Sequence, residues 1–387
     1  GWDLTFSAPK SVSALWSQLG PEDRQALQAA HFEAVTRALD YLQETAALTR
    51  RGRGGNDLER TGLVIATFEH STSRALDPQL HTHALVLNVG VREDGTTGTV
   101  SSLSLFQAKM AAGALYRAHL SAFLERNLAI QTEAYRTWFE VVGVPEELIA
   151  EFSKRREAIE AELDRRGLDT AEAASVAAIE TREAKPAVSR SELFQEWRTA
   201  GRGLGWSTEE AVQLVGHRLR ERDPEQEAAL ALSHASNSLT QSQAHFTERD
   251  FVRHVAEASQ ASGLFAEDIL EHSRAHLRYS PEIVRLGRHY GEERFTTKQM
   301  MELEKRLLAS VENLDADDYH QVGADRVVEG LGRHHELSEE QMNAVLHITG
   351  GTGGFAAVSG MAGTGKTRML EAAQHIWESD GKHVVGA

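Results

Sequence analysis

Apolar and polar residues alternate along Trp2-Asp3-Leu4-Thr5-Phe6, the period of two that marks a strand with one buried face. Ser7 and Pro9 supply the start signals of a helix, and Gly20-Pro21 ends it. From about Glu22 the period changes. Leu27, His31, Ala34, Val35, Ala38 and Leu42 recur every three or four residues and form one helical stripe. Two strand-like runs follow, Gly62 to His70 and His81 to Arg92, with the turn dipeptide Asp77-Pro78 between them. Asp94-Gly95 marks a second turn, leading to an extended run near Thr99 to Leu105. Gln107 to Leu128 has helical spacing, and Gln131 to Val144 reads as short strands.

The later pattern is mainly helical. Residues 145–184 are charge-rich with alternating signs, and 188–222 form two helices interrupted at Gly201-Arg202-Gly203-Leu204-Gly205. A linker is expected from Arg222-Asp223-Pro224 through a Ser/Asn/Gln-rich stretch to Ala244, then helices to about 335. Near Leu337 a strand–loop–helix unit begins, with Phe355-Ala356-Ala357-Val358 as its strand. These patterns divide the chain at 1–222, 223–336 and 337–387. The chain opens on Gly1 inside a strand-like run and closes on Lys382–Ala387, which reads as a strand just starting. Both ends are therefore expected to be cuts from a longer protein.

Composition adds constraints. The net charge of −16 argues against a surface coated in phosphate-binding charge, but leaves room for a local basic groove. Arg50-Arg51-Gly52-Arg53 is one local basic cluster, which a solvated loop would explain equally well. There is no cysteine, so disulfides and thiolate metal sites are excluded. No apolar run is long enough to span a bilayer and no signal peptide is visible, so membrane insertion is not expected; a cytoplasmic location is.

Chemistry concentrates in His70-Ser71-Thr72-Ser73-Arg74-Ala75-Leu76-Asp77-Pro78-Gln79-Leu80-His81-Thr82-His83. Side chains alternate along a strand, so His81 and His83 share a face. His70 ends the preceding strand. If the two strands pair antiparallel, three imidazoles converge and leave coordination positions open for catalysis. In a chain with 18 histidines, the His-x-His pair alone would be a weak signal. A second motif, Gly360-Met361-Ala362-Gly363-Thr364-Gly365-Lys366-Thr367, fits the phosphate-binding loop. There the glycines (Gly360, Gly363, Gly365) let backbone N–H groups close on phosphate, Lys366 reaches the outer phosphates and Thr367 binds Mg²⁺.

The histidine segment, continuing to Asn88, resembles the third motif of MobF-type conjugative relaxases. The opening Gly1–Ser13 and the later Ala177-Ala178-Ile179-Glu180-Thr181-Arg182 resemble the same family, and the likeness covers roughly the first 220 residues. It implies an α+β fold: an antiparallel-sheet HUH relaxase domain, then a mostly helical region and the start of a RecA-like P-loop domain. By that resemblance His70, His81 and His83 hold one divalent cation, and Asp3 orients one of the histidines. Three imidazoles suit Zn, Mn, Fe or Ni better than Mg, whereas the family is described as using Mg or Mn. Mg, Mn and Zn therefore all stay open. Lys10 and Arg74 are candidate DNA contacts, with ordinary surface charge as the competing reading.

The nucleophile implied by the family is a tyrosine upstream of the opening motif. None of Tyr41, Tyr116, Tyr135, Tyr279, Tyr290 and Tyr319 occupies that position. Leu337-Ser338-Glu339-Glu340-Gln341-Met342-Asn343-Ala344-Val345 resembles RecD-like superfamily 1 helicases, in which the residue at Gln341 reads adenine. Phe246–Asp250 and Arg294–Thr297 resemble the region before the motor in relaxase–helicase fusions. The resemblance implies single-strand nicking and transesterification at a plasmid transfer origin, with ATP and Mg serving a helicase part. Single-stranded DNA and conjugation accessory and coupling proteins are the implied partners. No acidic Walker B segment follows the loop, so ATP hydrolysis by these residues alone is not expected. The rival readings are a non-catalytic single-strand-binding remnant and a rolling-circle replication initiator.

Overall fold

The fold is organised by a long central strand, β5 (Pro78–Val91), as seen in a computed structural model. The structure describes residues 1–387 except 53–56, 168–169, 171–172, 174–175, 177–187, 217–221, 316–317, 352 and 387. Antiparallel neighbours flank β5: β1 (Trp2–Ser7) on one side and β4 (Gly62–Thr72) on the other, with the short β6 (Thr97–Gly98) at its far end. Along β5 burial alternates. Leu80, Thr82, Ala84 and Val86 are buried, whereas His81, His83, Leu85 and Leu87 are turned to the open side. The sheet is thus half covered, the arrangement that an antiparallel sheet tolerates.

Helices cover the buried face. α1 (Lys10–Gln18) contributes Val12, Leu15 and Trp16. α2 (Pro21–Thr45) carries the predicted stripe, with Leu27, His31, Ala34, Val35, Ala38 and Leu42 all buried. Proline at its first turn and the acids Glu22 and Asp23 beside it suit a helix N-terminus. α3 (Ser102–Leu128) packs along α2 through Ala108, Ala112, Leu115 and Leu120. The helix Arg190–Gly203 closes against α1, where Trp16 meets Phe194 at 5.0 Å and Trp197 at 5.9 Å between ring centroids. Truncating a buried Trp of this kind costs about 3–5 kcal/mol.

Several sequence expectations are corrected. The run Thr99–Leu105 is not a strand: β6 ends at Gly98 and α3 starts at Ser102, because Leu105, Ala108, Ala111 and Ala112 open the helix's buried stripe. The Ser/Asn/Gln-rich linker is the helix Pro224–Ser242, capped by Asp223, with Ala228, Ala231, Ala235 and Leu239 on its buried side. A small-residue stripe is a weak hydrophobic signal, and it hid the helix. The antiparallel pair Ile283–His289 and Glu292–Thr297 interrupts a region read as mostly helical. Its turn is Tyr290-Gly291, both with positive φ, as a tight hairpin twist requires. A further ribbon, β2 (Leu48–Arg51) with β3 (Asp57–Arg60), flanks the basic cluster that a solvated loop would have explained equally well.

The chain forms two compact units, Gly1–Thr297 and Lys298–Ala387. A boundary near 222 does not separate them: the helices Pro224–Ser242 and Glu248–Ala258 pack together, and the second lies on α3. The second unit has a small core of Val322, Val327, Leu337, Val345, Met369, Ala372, Ala373 and Ile376. Phe355–Val358 and Lys382–Val385 form no strand. A strand needs an edge to bond to, and no strand lies within this unit among the described residues.

Candidate metal centre and nucleotide loop

Strand register brings the histidines together. His70 of β4 sits directly opposite His81 of β5, and Thr5 of β1 and Phe68 of β4 flank His83. Because cross-strand partners share a face, the open side carries His70, His81 and His83 in adjoining rows. Their ring centroids are separated by 5.2, 5.0 and 5.2 Å. One ring nitrogen from each lies within 4.8 Å of the others. Small ring rotations would close that spread to bonds of about 2.1 Å around one cation.

Tautomers are set from outside the triad. The Asp3 carboxylate accepts from Nδ1 of His83 at 2.8 and 3.0 Å, with the Thr5 hydroxyl 3.2 Å away. Nδ1 of His81 donates to the Gln79 carbonyl at 2.9 Å. Both bonds place the proton on Nδ1 and leave the Nε2 lone pair for a metal. Asp3 and His83 are brought within hydrogen-bond distance of each other.

Beneath this strand the side chain between the two histidines, Thr82, faces inward. Buried His31 bridges Thr82 Oγ1 and Tyr116 Oη at 2.8 Å each. Burial holds its imidazole neutral, with a pKa pushed down to about 3, and His81 adds a smaller repulsion. One histidine thus ties α2, α3 and β5 into a single support.

The turn between His70 and His81 is built by Ser73. Its hydroxyl accepts from the N–H groups of Ala75 and Asp77 and donates to the Asp77 carboxylate. Leu76 sits at φ 62° and gives its carbonyl to Trp197 Nε1 at 2.9 Å. Arg74 is exposed on this turn. Lys10 is placed differently from a surface DNA contact. Its ammonium donates to the Pro78 carbonyl at 3.1 Å, and burial lowers its pKa to about 8 against the opposing pull of Asp77. Its position fits a clamp on the start of β5. Of the basic cluster, Arg51 pairs with Glu59 and Asp94, while Arg53 and the segment 177–182 lie outside the described residues.

No tyrosine lies on β1, β4 or β5. Tyr41 and Tyr116 are buried in α2 and α3, and burial raises both hydroxyl pKa values, Tyr41 to about 12. Tyr135 lies on β7 (Thr132–Tyr135), Tyr279 ends a helix, Tyr290 is in the hairpin turn and Tyr319 is in the second unit.

In the second unit the predicted loop leads straight into the helix Lys366–Ser379. Gly363 and Gly365 have φ of 79° and 78°, and Gly365 is the helix cap. It is the positive φ at Gly365 that requires glycine; the Gln341 side-chain end, 2.5 Å from where a Cβ would stand, could swing aside. Lys366 Nζ donates to the carbonyls of Gly360 and Met361 at 2.7 and 2.8 Å, folded over the loop. Gln341 caps Ser338 through its Oε1 and donates from Nε2 to the Thr364 carbonyl at 2.9 Å. Thr367 is exposed in the helix's first turn.

Three imidazoles on an open antiparallel sheet, one oriented by a carboxylate, make a candidate divalent-metal site with coordination positions left open. The comparisons identify the family. Residues 1–204 match the TrwC relaxase model, and the chain belongs to that family. Residues 336–387 match an AAA domain. The multifunctional conjugation protein TraI of Escherichia coli K12 is 36% identical over 211 residues, 51% of this chain and 11% of that protein. Conjugal transfer protein TraA of Agrobacterium fabrum is 37% identical over 115 residues, 28% of this chain and 10% of the relative. The chain spans about a tenth of the length of these curated relatives. A solved structure described as conjugative relaxase TrwC in complex with oriT DNA, metal-bound, is 36% identical. It covers 53% of this chain and 72% of its own, with a TM-score of 0.49.

Proposed function

We propose that this chain is the metal-binding and strand-holding part of a conjugative relaxase fused to a nucleotide-binding motor. The observation that carries this reading is the convergence of His70, His81 and His83 beside Asp3. A divalent cation held there supplies Lewis-acid polarisation of a scissile phosphate. The chain's own residues hold the cation, fix two imidazole tautomers and present a flat open face to a single strand. Zn, Mn and Mg are the candidate ions. Arg74, exposed on the turn between two ligands, is the candidate phosphate contact.

Strand cleavage also needs a nucleophile. In this chain the buried tyrosines are held protonated, and the others lie off the histidine strands. The expected result is metal-dependent binding of a transfer-origin oligonucleotide without a covalent adduct, read by denaturing gel of a labelled strand. A phosphotyrosyl adduct would overturn the assignment of roles. Failure to bind any single strand would overturn the function itself.

The second unit is proposed to bind ATP with Mg²⁺ through Gly360, Gly363, Gly365, Lys366 and Thr367, with Gln341 placed for the base. A charge-assisted bond of about 1.5–3 kcal/mol predicts that Lys366→Ala weakens nucleotide binding by roughly 10- to 100-fold. Titration with a fluorescent ATP analogue checks this.

A further inference from the structure

A second cationic feature lies outside the metal centre. Arg24 of α2 stands over the Phe194 ring with its guanidinium carbon 3.9 Å from the centroid, and Arg190 approaches the same ring at 5.9 Å. Arg198, one turn along the helix from Phe194, donates to the Leu19 carbonyl at 2.8 Å. None of the three makes an ion pair among the described residues. The neighbouring acids are engaged elsewhere. Glu192 accepts from the Ser189 backbone, and Glu69 accepts from Gln28. The main electrostatic influences on Arg24 are the repulsions of Arg198 and Arg190, which add to burial in lowering its pKa. In a chain of net charge −16, three gathered arginines with no ion pair among the described residues are unexpected for a solvated surface.

Their position connects them to the histidines. Arg190 donates to Gln28, and Gln28 donates to Glu69, the residue before His70. On the same helix Trp197 holds the Leu76 carbonyl of the turn that exposes Arg74. Glu69 is the cross-strand partner of inward-facing Thr82, so this chain of bonds runs on the helix-covered face at the β4 edge, one residue from His70, which opens to the other face.

We propose that Arg24 and Arg190, backed by Arg198, form a phosphate-binding site that grips the backbone of a single DNA strand passing from the metal centre around the β4 edge by Arg74. This deepens the proposed function and rests on it. Arg24 and Arg190 are the gripping residues: Arg190 is exposed and gives a single bond to Gln28, whereas Arg198 is half-buried and holds the Leu19 carbonyl.

The test measures binding of a fluorescein-labelled thirty-nucleotide thymidine strand to the whole chain across a salt series, with Mn²⁺ present. Each phosphate contact on single-stranded DNA contributes about 0.7 to the slope of log K against log salt. Arg24→Gln with Arg190→Gln is expected to reduce the slope by about 1.4 and to weaken binding near 0.1 M salt by roughly 25-fold. Arg24→Lys with Arg190→Lys is expected to retain the slope, which a merely structural role would not predict. Arg156→Gln, on an exposed helix, should leave it unchanged. An unaltered slope in the glutamine variant, or an equal loss in Arg156→Gln, overturns the arginine site while leaving strand binding intact. Absence of binding by the unmodified chain overturns the proposed function along with it.

Discussion

Substituting His81 by alanine is expected to remove high-affinity divalent-cation binding while leaving the fold unchanged. The imidazole lies on the open face of β5, and its neighbours on the buried face, Leu80 and Thr82, do not depend on it. Substitutions on such a face usually change stability by no more than about 0.5 kcal/mol. Binding is a different matter, because two imidazoles cannot replace three. Asp3→Asn grades the effect. It keeps the shape beside His83 but removes the charge that makes Nε2 basic, and an outer partner of this kind is worth about 10- to 100-fold in metal affinity. His81→Ala should exceed that. Calorimetric titration with Mn²⁺ or Zn²⁺ reads both variants. Thermal melts give an independent reading: cation at a hundred times its dissociation constant should stabilise the unsubstituted chain by about 2.7 kcal/mol, and His81→Ala should lose that gain. Equal metal affinity in all three proteins would refute the triad.

The second large effect concerns acid. The His31 pKa is depressed to about 3 from an ordinary 6.5 because its ring is buried between Tyr116 and Thr82. Above 6.5 both folded and unfolded chains carry it neutral, so its full contribution is present. As pH falls below 6.5 the unfolded chain takes up a proton that the folded one refuses, and stability declines continuously toward pH 3. The limiting slope is about 1.4 kcal/mol per pH unit, or about 2 kcal/mol between pH 6.5 and 5. His31→Gln keeps a polar side chain between the two hydroxyls but does not titrate, so its urea midpoint should change less over that interval. Buried His119 and half-buried His276 share the direction. The diagnostic quantity is therefore the difference between the two proteins, and a difference of zero would place the acid sensitivity elsewhere.

What the sequence disclosed follows from how local each signal is. His81 and His83 were legible because a strand's period of two puts them on one face, and a short connection to His70 constrains the third. The stripe through Leu27, His31 and Leu42 was legible for the same reason on a helix. Asp3 is 80 residues from His83, so only the family resemblance pointed to it; the β1–β5 pairing that unites them is a tertiary fact. Lys10 looked like surface charge because nothing local shows that Asp77 and Pro78 lie against it. The helix Pro224–Ser242 was hidden by alanine and serine, whose weak hydrophobic contrast resembles a linker. Phe355–Val358 failed in the opposite sense: its composition suits a strand, but no neighbouring edge is present to complete one. The arginines around Phe194 are dispersed over more than 160 positions and become a cluster only when α1, α2 and the helix Arg190–Gly203 meet.

Because β5 is shared by β1 and β4, its phase is fixed from both sides at once. Insertion of a single residue between Leu80 and His81 would exchange inside and outside for half the strand, driving two imidazoles into hydrocarbon and Thr82 into water. Length changes near this centre are consequently tolerable only beyond the strand ends, at the Ser73–Asp77 turn or past Val91, where an added residue shifts no one's partner.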